Sequence, residues 1–392
     1  MISIDSAILT IKKHSKPLQK ETIKPVEKSN GYVISQNIYS PINMPPFRQS
    51  AMDGYALHLH DLSEYKLIGE VKAGDHKTYQ LKKGEAVRIF TGAPVPDTAN
   101  AVVMQEKVQV KGHIIETGNK ILKGSNIRPK GEQIKTGAIA LKKGTSLTSA
   151  GIGFLTSLGI KEVPVFKKPT IAIITTGNEL IEPGEKLKPG KIYESNSKML
   201  LSALYSLKFY DITLHKVEDH YETTYESLNR VIPTNDLVII TGGISVGDYD
   251  FVGKVLEDLK VKRLFYKVNQ KPGKPLYYGK MNNTSVFALP GNPAAALTCF
   301  YMYVYITLNR MMDHAIVELP RIWAKSLTKF EKRADRPQFL KAILNHGKVE
   351  ILDGQNSSML QSYAISNALV FMPEKLSVIN IGDQVETIVL PV

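Results

Sequence analysis

Asp236-Leu-Val-Ile-Ile-Thr-Gly-Gly-Ile-Ser-Val-Gly-Asp-Tyr-Asp250 is the stretch whose reading decides the fold. Leu237 to Ile240 is a short, continuous, mostly β-branched run between polar and glycine signals, which predicts a strand buried on both faces. Thr241-Gly242-Gly243 ends it abruptly, where the backbone needs unusual torsions or a close approach to a ligand. Asp248 and Asp250 follow, near enough in sequence to serve one site. In an open parallel sheet ligands gather at the carboxyl ends of the strands. The same residues also suit a tight strand–helix connection with solvated acids.

Outward from that stretch, apolar strands at Thr170–Thr175, Asp211–His215, Leu237–Ile240 and Ser285–Leu289 alternate with helical stretches at 195–208, 222–232, 251–259 and 293–309. That alternation predicts a doubly wound α/β domain. Before it, residues 2–13 space Ile4, Ala7, Ile8 and Ile11 as one face of a helix. Short β segments at Tyr65–Val71, Ala86–Phe90, Ala101–Val110 and Ile114–Ile115 predict a small β domain. Residues 148–158 read as a helix stopped by Gly159. After Pro320 the pattern is β-rich to Val392, with one weak helical stretch at 358–364. The chain is thus multidomain, α/β plus β.

A chain of 392 residues is too long for one ordinary core. Its hydrophobic share of 43% and charged share of 22% are those of a globular protein that works in water. No cationic stretch followed by an apolar one opens the chain, and Ala294–Leu308 is too short to span a bilayer, so no membrane role is expected. The single cysteine, Cys299, lies in that apolar run and reads as a core residue; a cytoplasmic setting fits. The net charge of +13 favours acidic partners, but the lysines are scattered in pairs and carry no nucleic-acid-binding signature. The histidines show no zinc spacing; His58 and His60 read as solvated surface residues.

Three more motifs belong at the same sheet edge. Thr175-Thr-Gly-Asn-Glu-Leu180 ends a buried strand in a glycine turn with the carboxylate of Glu179. Lys271-Pro-Gly-Lys-Pro275 holds two lysines on a proline-stiffened turn. Leu289-Pro-Gly-Asn-Pro293 opens a helix, with Asn292 expected as N-cap and Pro293 at the first helical position. Glycine N–H groups, two lysines and a helix N-terminus suit phosphate oxygens. Glu179, Asp248 and Asp250 would repel that ligand unless a cation lay between, which points to Mg²⁺ on a nucleotide-like ligand. No P-loop ending is present, so ordinary NTPase chemistry is not indicated.

Six ordered motifs, Ser50-Ala-Met-Asp-Gly-Tyr-Ala56, Thr91-Gly-Ala-Pro-Val-Pro96, Thr176-Gly-Asn-Glu-Leu180, Gly242-Gly-Ile-Ser-Val-Gly247, Lys271-Pro-Gly-Lys-Pro275 and Pro290-Gly-Asn-Pro293, resemble the molybdopterin molybdenumtransferases. These are the molybdenum insertases of MoeA type, related to the E domain of gephyrin. The resemblance covers essentially the whole chain. It implies an enzyme of molybdenum cofactor biosynthesis that takes adenylylated molybdopterin and molybdate and, with Mg²⁺, releases AMP and leaves molybdenum on the dithiolene. It further implies a homodimer of four-domain subunits with a shared cleft, and dealings with other cofactor-biosynthesis proteins.

On this sequence the four domains would be 21–45 with 141–169 (linking), 46–140 (small, β-rich), 1–20 with 170–317 (α/β, molybdopterin-binding-like) and 318–392 (C-terminal, β). Matched motif by motif, Asp53, Thr91, Glu179, Asp219 and Asp250 take the catalytic positions, Glu179 and Asp250 being the Mg²⁺ ligands. Gly242, Gly243, Ser245, Lys271, Lys274, Pro290, Gly291, Asn292, Pro293, Arg336 and Ser357 take the substrate-binding ones.

The residues alone leave plainer readings open. Asp53-Gly54 suits a turn, Thr91-Gly-Ala-Pro a loop, and Asp219 a surface acid beside His220. Two positions depart from the family. Gln133 stands where an acid is frequent, and Lys341 where Arg is usual, and lysine cannot reproduce a bidentate guanidinium contact. Two other functions stay open: the related adenylyltransferase, whose fold is the α/β domain alone, and a gephyrin-like non-catalytic scaffold.

Overall fold

The computed structural model describes residues 1–75, 77–118, 120–244, 251–332 and 335–392. Ser245, Asp248 and Asp250 lie outside the described residues, and with them part of the glycine loop singled out above. The chain parts into two compact units. One comprises Met1–Thr22, Gly31–Val33 and Val165–Val392; the other comprises Ile23–Asn30 and Ile34–Pro164.

In the first unit six strands form one sheet. In chain order these are β1 (Ile171–Thr176), β2 (Ile212–Val217), β3 (Leu237–Thr241), β4 (Lys262–Tyr266), β5 (Tyr277–Met281) and β6 (Thr284–Leu289). Across the sheet they lie β2-β1-β3-β6-β5-β4. The first four pair in parallel, and β5 and β4 add antiparallel. The sheet is therefore mixed, and its antiparallel edge was not foreseen. Lys262-Arg-Leu-Phe-Tyr266 and Tyr277-Tyr-Gly-Lys-Met281 lack the uninterrupted β-branched run that marks a strand buried on both faces.

The central strands are covered on both sides, as their apolar runs demand. Ile171, Ile173, Leu237, Ile239, Phe287 and Leu289 pack with Leu200, Leu204, Phe300 and the apolar face of the N-terminal helix, Ile4, Ala7, Ile8 and Ile11. Ala172, Ile174, Val238, Ile240, Val286 and Ala288 turn the other way, onto Leu228, Val231, Val252, Val255 and Leu256. Strict alternation along each strand thus sorts side chains between two helical layers, the doubly wound arrangement. Helix Ile4–His14 starts where Ser3 Oγ accepts the Ser6 N–H, a cap worth about 1 kcal/mol.

Helix 293–309 of the sequence reading extends to Met311 but is not uniform: Pro293–Cys299 and Tyr305–Met311 flank a π-type turn, Phe300–Val304. Beyond it, Arg321–Ser326, Gln338–Asn345, Lys348–Ile351, Ala368–Met372 and Gln384–Val389 close into a barrel. One short helix, Gln361–Ala364, interrupts them.

The second unit holds another six-stranded sheet. It runs Ala101–Met104, Gly54–Leu57, Glu85–Ile89, Glu64–Val71, Ile114–Thr117 and Val108–Lys111. The run expected as one strand over Ala101–Val110 is broken by a tight turn, Gln105–Lys107, whose first N–H bonds the Asp53 carbonyl at 3.1 Å. Helix Ser149–Ser157 is capped by Thr148 and stopped by Gly159 at φ +78°. Among the described residues no helix is long and apolar enough to cross a membrane.

Candidate functional site

The parallel strands β1, β3 and β6 all point their carboxyl ends at one pocket of about 580 Å³. Thr175, Thr176 and Glu179 come from β1 and its turn, Thr241, Gly242 and Gly243 from β3, and Pro290, Gly291, Asn292 and Pro293 from β6. Because β1 connects to β2 on one side and the chain returns to β3 on the other, the pocket sits where the strand order reverses.

The glycines are there for space. Gly242 and Gly243 take φ +89° and +61°. A Cβ on Gly242 would lie 2.2 Å from the Thr176 carbonyl oxygen, and one on Gly243 would lie 2.8 Å from Thr176 Oγ1. At Gly242 backbone therefore touches backbone at the pocket floor, which leaves no room for a side chain. Thr176 Oγ1 in turn donates to Asp219 Oδ1 (3.3 Å), and the Asp219 N–H donates to Asn178 Oδ1 (3.1 Å). Asp219 is thus tied to the β1 turn, while its neighbour His220 pairs with Glu222.

The lysine turn and a loop between the barrel strands both reach the pocket. The Lys271 N–H donates to the Pro337 carbonyl and the Phe339 N–H to the Lys271 carbonyl, both at 2.9 Å, so the lysine turn is stitched to the entry of strand Gln338–Asn345. Pro275 of that turn and Ser358 line the pocket. Lys271 is exposed and Lys274 half-buried, and neither forms an ion pair among the described residues. Arg336 is half-buried two residues before Gln338.

Asn292 holds the N-cap position but does not cap. Its Nδ2 reaches Ser357 Oγ at 2.9 Å, and the Ser357 carbonyl accepts the Ala295 N–H at 3.1 Å. Pro293 has no N–H, so this contact narrows what the helix end offers an anion. Ser357 is committed to joining the barrel loop to the helix.

Lys341, the departure from Arg, is buried at 3% exposure. Its Nζ donates to the carbonyls of Gly354 (2.6 Å), Met359 (2.9 Å) and Asn356 (3.4 Å). Burial pushes its pKa down to about 8. Lysine here builds the loop that carries Ser357 and Ser358. A compact ammonium can meet three carbonyls that a planar guanidinium fork would not fit.

In the second unit Asp53 and Thr91 adjoin. Gly54 pairs with Ile89 across the sheet, which brings Asp53 alongside Phe90 and Thr91 where the two strands leave the pair. Asp53 Oδ1 accepts both the backbone N–H and the hydroxyl of Thr91, each at 2.7 Å. Those donors, with Arg88 nearby, hold the carboxyl below its ordinary pKa. Gly54 is not a turn residue: a Cβ there would lie 1.8 Å from the Val103 carbonyl oxygen. His58 and His60 are half-buried and bonded to the carbonyls of Leu81 and Glu64, both at 2.8 Å, rather than solvated. Gln133 is exposed, and its N–H bonds the Met44 carbonyl at 2.9 Å.

Five lining residues escaped the sequence reading as site residues: Ile192, Tyr193, Glu194, Ser195 and Asn196. Glu194 is buried and accepts the Ser197 N–H and hydroxyl at 2.8 and 2.5 Å, starting helix Asn196–Ser206. Asn196 donates to Thr241 Oγ1 and the Gly291 carbonyl, both at 2.8 Å, and so bridges β3 to the β6 loop. Its Oδ1 is buried with no partner among the described residues. The polar run Glu194-Ser-Asn-Ser197 ahead of a helical stretch is the signal that could have found them.

An α/β domain with its pocket at the strand-order reversal, a β-rich N-terminal unit and a C-terminal barrel together define a class of protein. Three family models match it in order: the MoeA N-terminal region (domain I and II) over residues 2–159, the probable molybdopterin binding domain over 172–310 and the MoeA C-terminal region (domain IV) over 324–390. The molybdopterin molybdenumtransferase of Haemophilus influenzae is 33% identical over 94% of this chain and 93% of its own. That of Staphylococcus epidermidis is 32% identical over 95% and 91%. A crystal structure of the molybdopterin biosynthesis MoeA protein of Pyrococcus horikoshii superimposes with TM-score 0.87 at 30% identity, covering 99% of this chain and 100% of that one. The chain belongs to the molybdopterin molybdenumtransferase family.

Proposed function

We propose that this chain is a molybdenum insertase that takes adenylylated molybdopterin and molybdate, transfers molybdenum to the dithiolene and releases AMP. The observation that carries the reading is the convergence of the β1, β3 and β6 turns on one pocket that Pro275 of the lysine turn also lines. Gly242 and Gly243 let a ligand approach bare backbone, and Lys271 and Lys274 hold phosphate or molybdate oxygens. The polar groups of Asn196, Thr241 and Glu179 orient the ligand. Attack of water on the adenylyl phosphorus breaks its bond to the oxygen of the molybdopterin phosphate, which leaves as that phosphate, and the adenylyl group departs as AMP; if a molybdate oxygen attacks instead, water then hydrolyses the adenylyl–molybdate anhydride to AMP and molybdate. Asp53 with Thr91, and Arg336 just ahead of strand Gln338–Asn345, belong to the proposed residue set. The four-domain division and a homodimer belong to the same reading.

The donor set fits Mg²⁺. Among the described residues no three His, Cys, Asp or Glu side chains group to hold a metal. Mg²⁺ needs no such group: one or two carboxylates suffice, with phosphate and water completing its shell. Glu179 supplies one, and the unpartnered Asn196 Oδ1 is a further hard oxygen at the pocket. When bound, Mg²⁺ polarises the phosphoanhydride.

An adenylyltransferase would need only the α/β domain, whereas here the barrel is hydrogen-bonded into the pocket wall. The test is AMP release by the full chain from adenylylated molybdopterin. Release is expected when molybdate is added with Mg²⁺ and is expected to stop on chelation. Tight pterin binding without AMP release would leave a scaffold, and adenylylation of free molybdopterin from ATP would favour the other enzyme.

A further inference from the structure

The π-type turn at Phe300–Val304 has a visible consequence. Such turns rotate the following side chains away from their regular helical positions and recur at functional sites. Tyr303, inside it, is fully buried, and its hydroxyl donates to Gln270 Oε1. Gln270 is also fully buried. Its Nε2 donates to the Gly273 carbonyl at 3.1 Å and to Cys299 Sγ at 3.5 Å, and the thiol donates to the same carbonyl at 3.7 Å. Three side chains from two elements thus converge on the inner side of Lys271-Pro-Gly-Lys-Pro275. Gly273 takes φ +84°, and a Cβ there would lie 2.4 Å from Cys299 Sγ, so the turn rests directly on this network.

Apolar residues could fill the same space without desolvating an amide and a phenol, so packing alone does not account for the network. What it adds is direction: each member fixes the next, and a missing one strands a buried partner. The two lysines are not equally dependent on it. Lys271 is pinned from outside by Pro337 and Phe339. The Lys274 carbonyl accepts the Val268 N–H at 3.0 Å, but Lys274 also follows directly on Gly273, whose own carbonyl is held by Gln270.

We propose that Gln270 and Tyr303 are positioning residues for the lysine turn, acting through Gly273 to aim Lys274 at the anionic groups of the substrate. This rests on the reading above that Lys274 meets substrate oxygens.

The test is a double-mutant cycle on the full chain, read as equilibrium affinity for adenylylated molybdopterin at low ionic strength, with thermal unfolding as the check on folding. Lys274→Met is expected to lose about tenfold in affinity, as for one charge-assisted contact. Tyr303→Phe should lose several-fold, and in the Lys274→Met background it should add almost nothing, since coupled residues are non-additive. Gln270→Met should behave as Tyr303→Phe does and serves as the second arm. Lys271→Met combined with Tyr303→Phe should come closer to additivity. A Tyr303→Phe loss that adds in full to Lys274→Met, or no loss in folded variants of either arm, overturns the positioning role alone. A Lys274→Met variant that binds like the wild type overturns the lysine reading and this proposal together.

Discussion

A fully exposed carboxylate keeps its ordinary acidity unless donors are held against it, and Asp53 is such a case. Two donors from Thr91 converge on one of its oxygens, and among the described residues the other oxygen accepts no hydrogen bond. Thr91→Val keeps the backbone donor and removes the hydroxyl. The Asp53 pKa should then rise part of the way to its ordinary value, read by carbon-detected NMR titration of the carboxyl. The sign follows from linkage: a depressed carboxyl stays ionised to lower pH, so whatever it contributes is present above the ordinary value and lost as pH falls through the folded one. The variant should lose it at higher pH. An unmoved titration would mean the hydroxyl bond does not form in solution. Asp53-Gly54 reads as a turn because local chemistry permits one; the 1.8 Å approach to Val103 that actually demands glycine comes from a strand about 50 residues on.

At the scale of an element, the Lys341 ammonium gathers three carbonyls of the Gly354–Met359 loop, which Ser362, Gln355 and Asn292 also hold. Lys341→Met leaves the carbonyls of Gly354, Asn356 and Met359 without their shared donor, a loss of about 1–3 kcal/mol. Urea unfolding should show it. The pH dependence separates this group from the lysines of ordinary pKa. Its folded pKa of about 8 lies below the unfolded value, so between them the unfolded chain binds more protons. Wild-type stability relative to Lys341→Met should therefore rise as pH climbs from about 8 to about 10.4 and stay level below that range. A difference that is flat across the range would place the Lys341 pKa at its ordinary value. The same loop joins Ser357 to Asn292, so the variant should also weaken pterin binding, whereas a surface lysine would not.

For the whole molecule, the proposed homodimer makes a counting prediction. Asp53 and the α/β pocket lie in separate compact units. If Asp53 serves the pocket of the partner subunit, Asp53→Asn and Glu179→Gln are each inactive alone but complement when mixed. One site of each mixed dimer then carries both lesions and the other carries neither, so re-pairing at equal amounts restores about a quarter of the sites. Exchange of subunits, shown by differently tagged chains, with no return of AMP release would put both residues in one chain's site.

The doubly wound core was legible in the sequence because a strand buried on both faces must be apolar throughout, and Ile171–Ile174 and Leu237–Ile240 are. The glycine, lysine and proline turns at the strand ends were legible for a related reason: few residue types permit those backbones. Long-range partnership was not legible. That Asn292 reaches Ser357 instead of capping its helix, that Lys341 gathers three carbonyls, and that Asn196 bridges β3 to the β6 loop depends on segments up to 95 residues apart. The antiparallel edge strands also escaped, since pairing with a neighbour, rather than their own composition, makes them strands. Local sequence determined which backbones are possible and which faces must be buried. Only the tertiary structure decided which polar groups meet, because a hydrogen bond is specified by geometry at both of its ends and the sequence near one end does not encode the other.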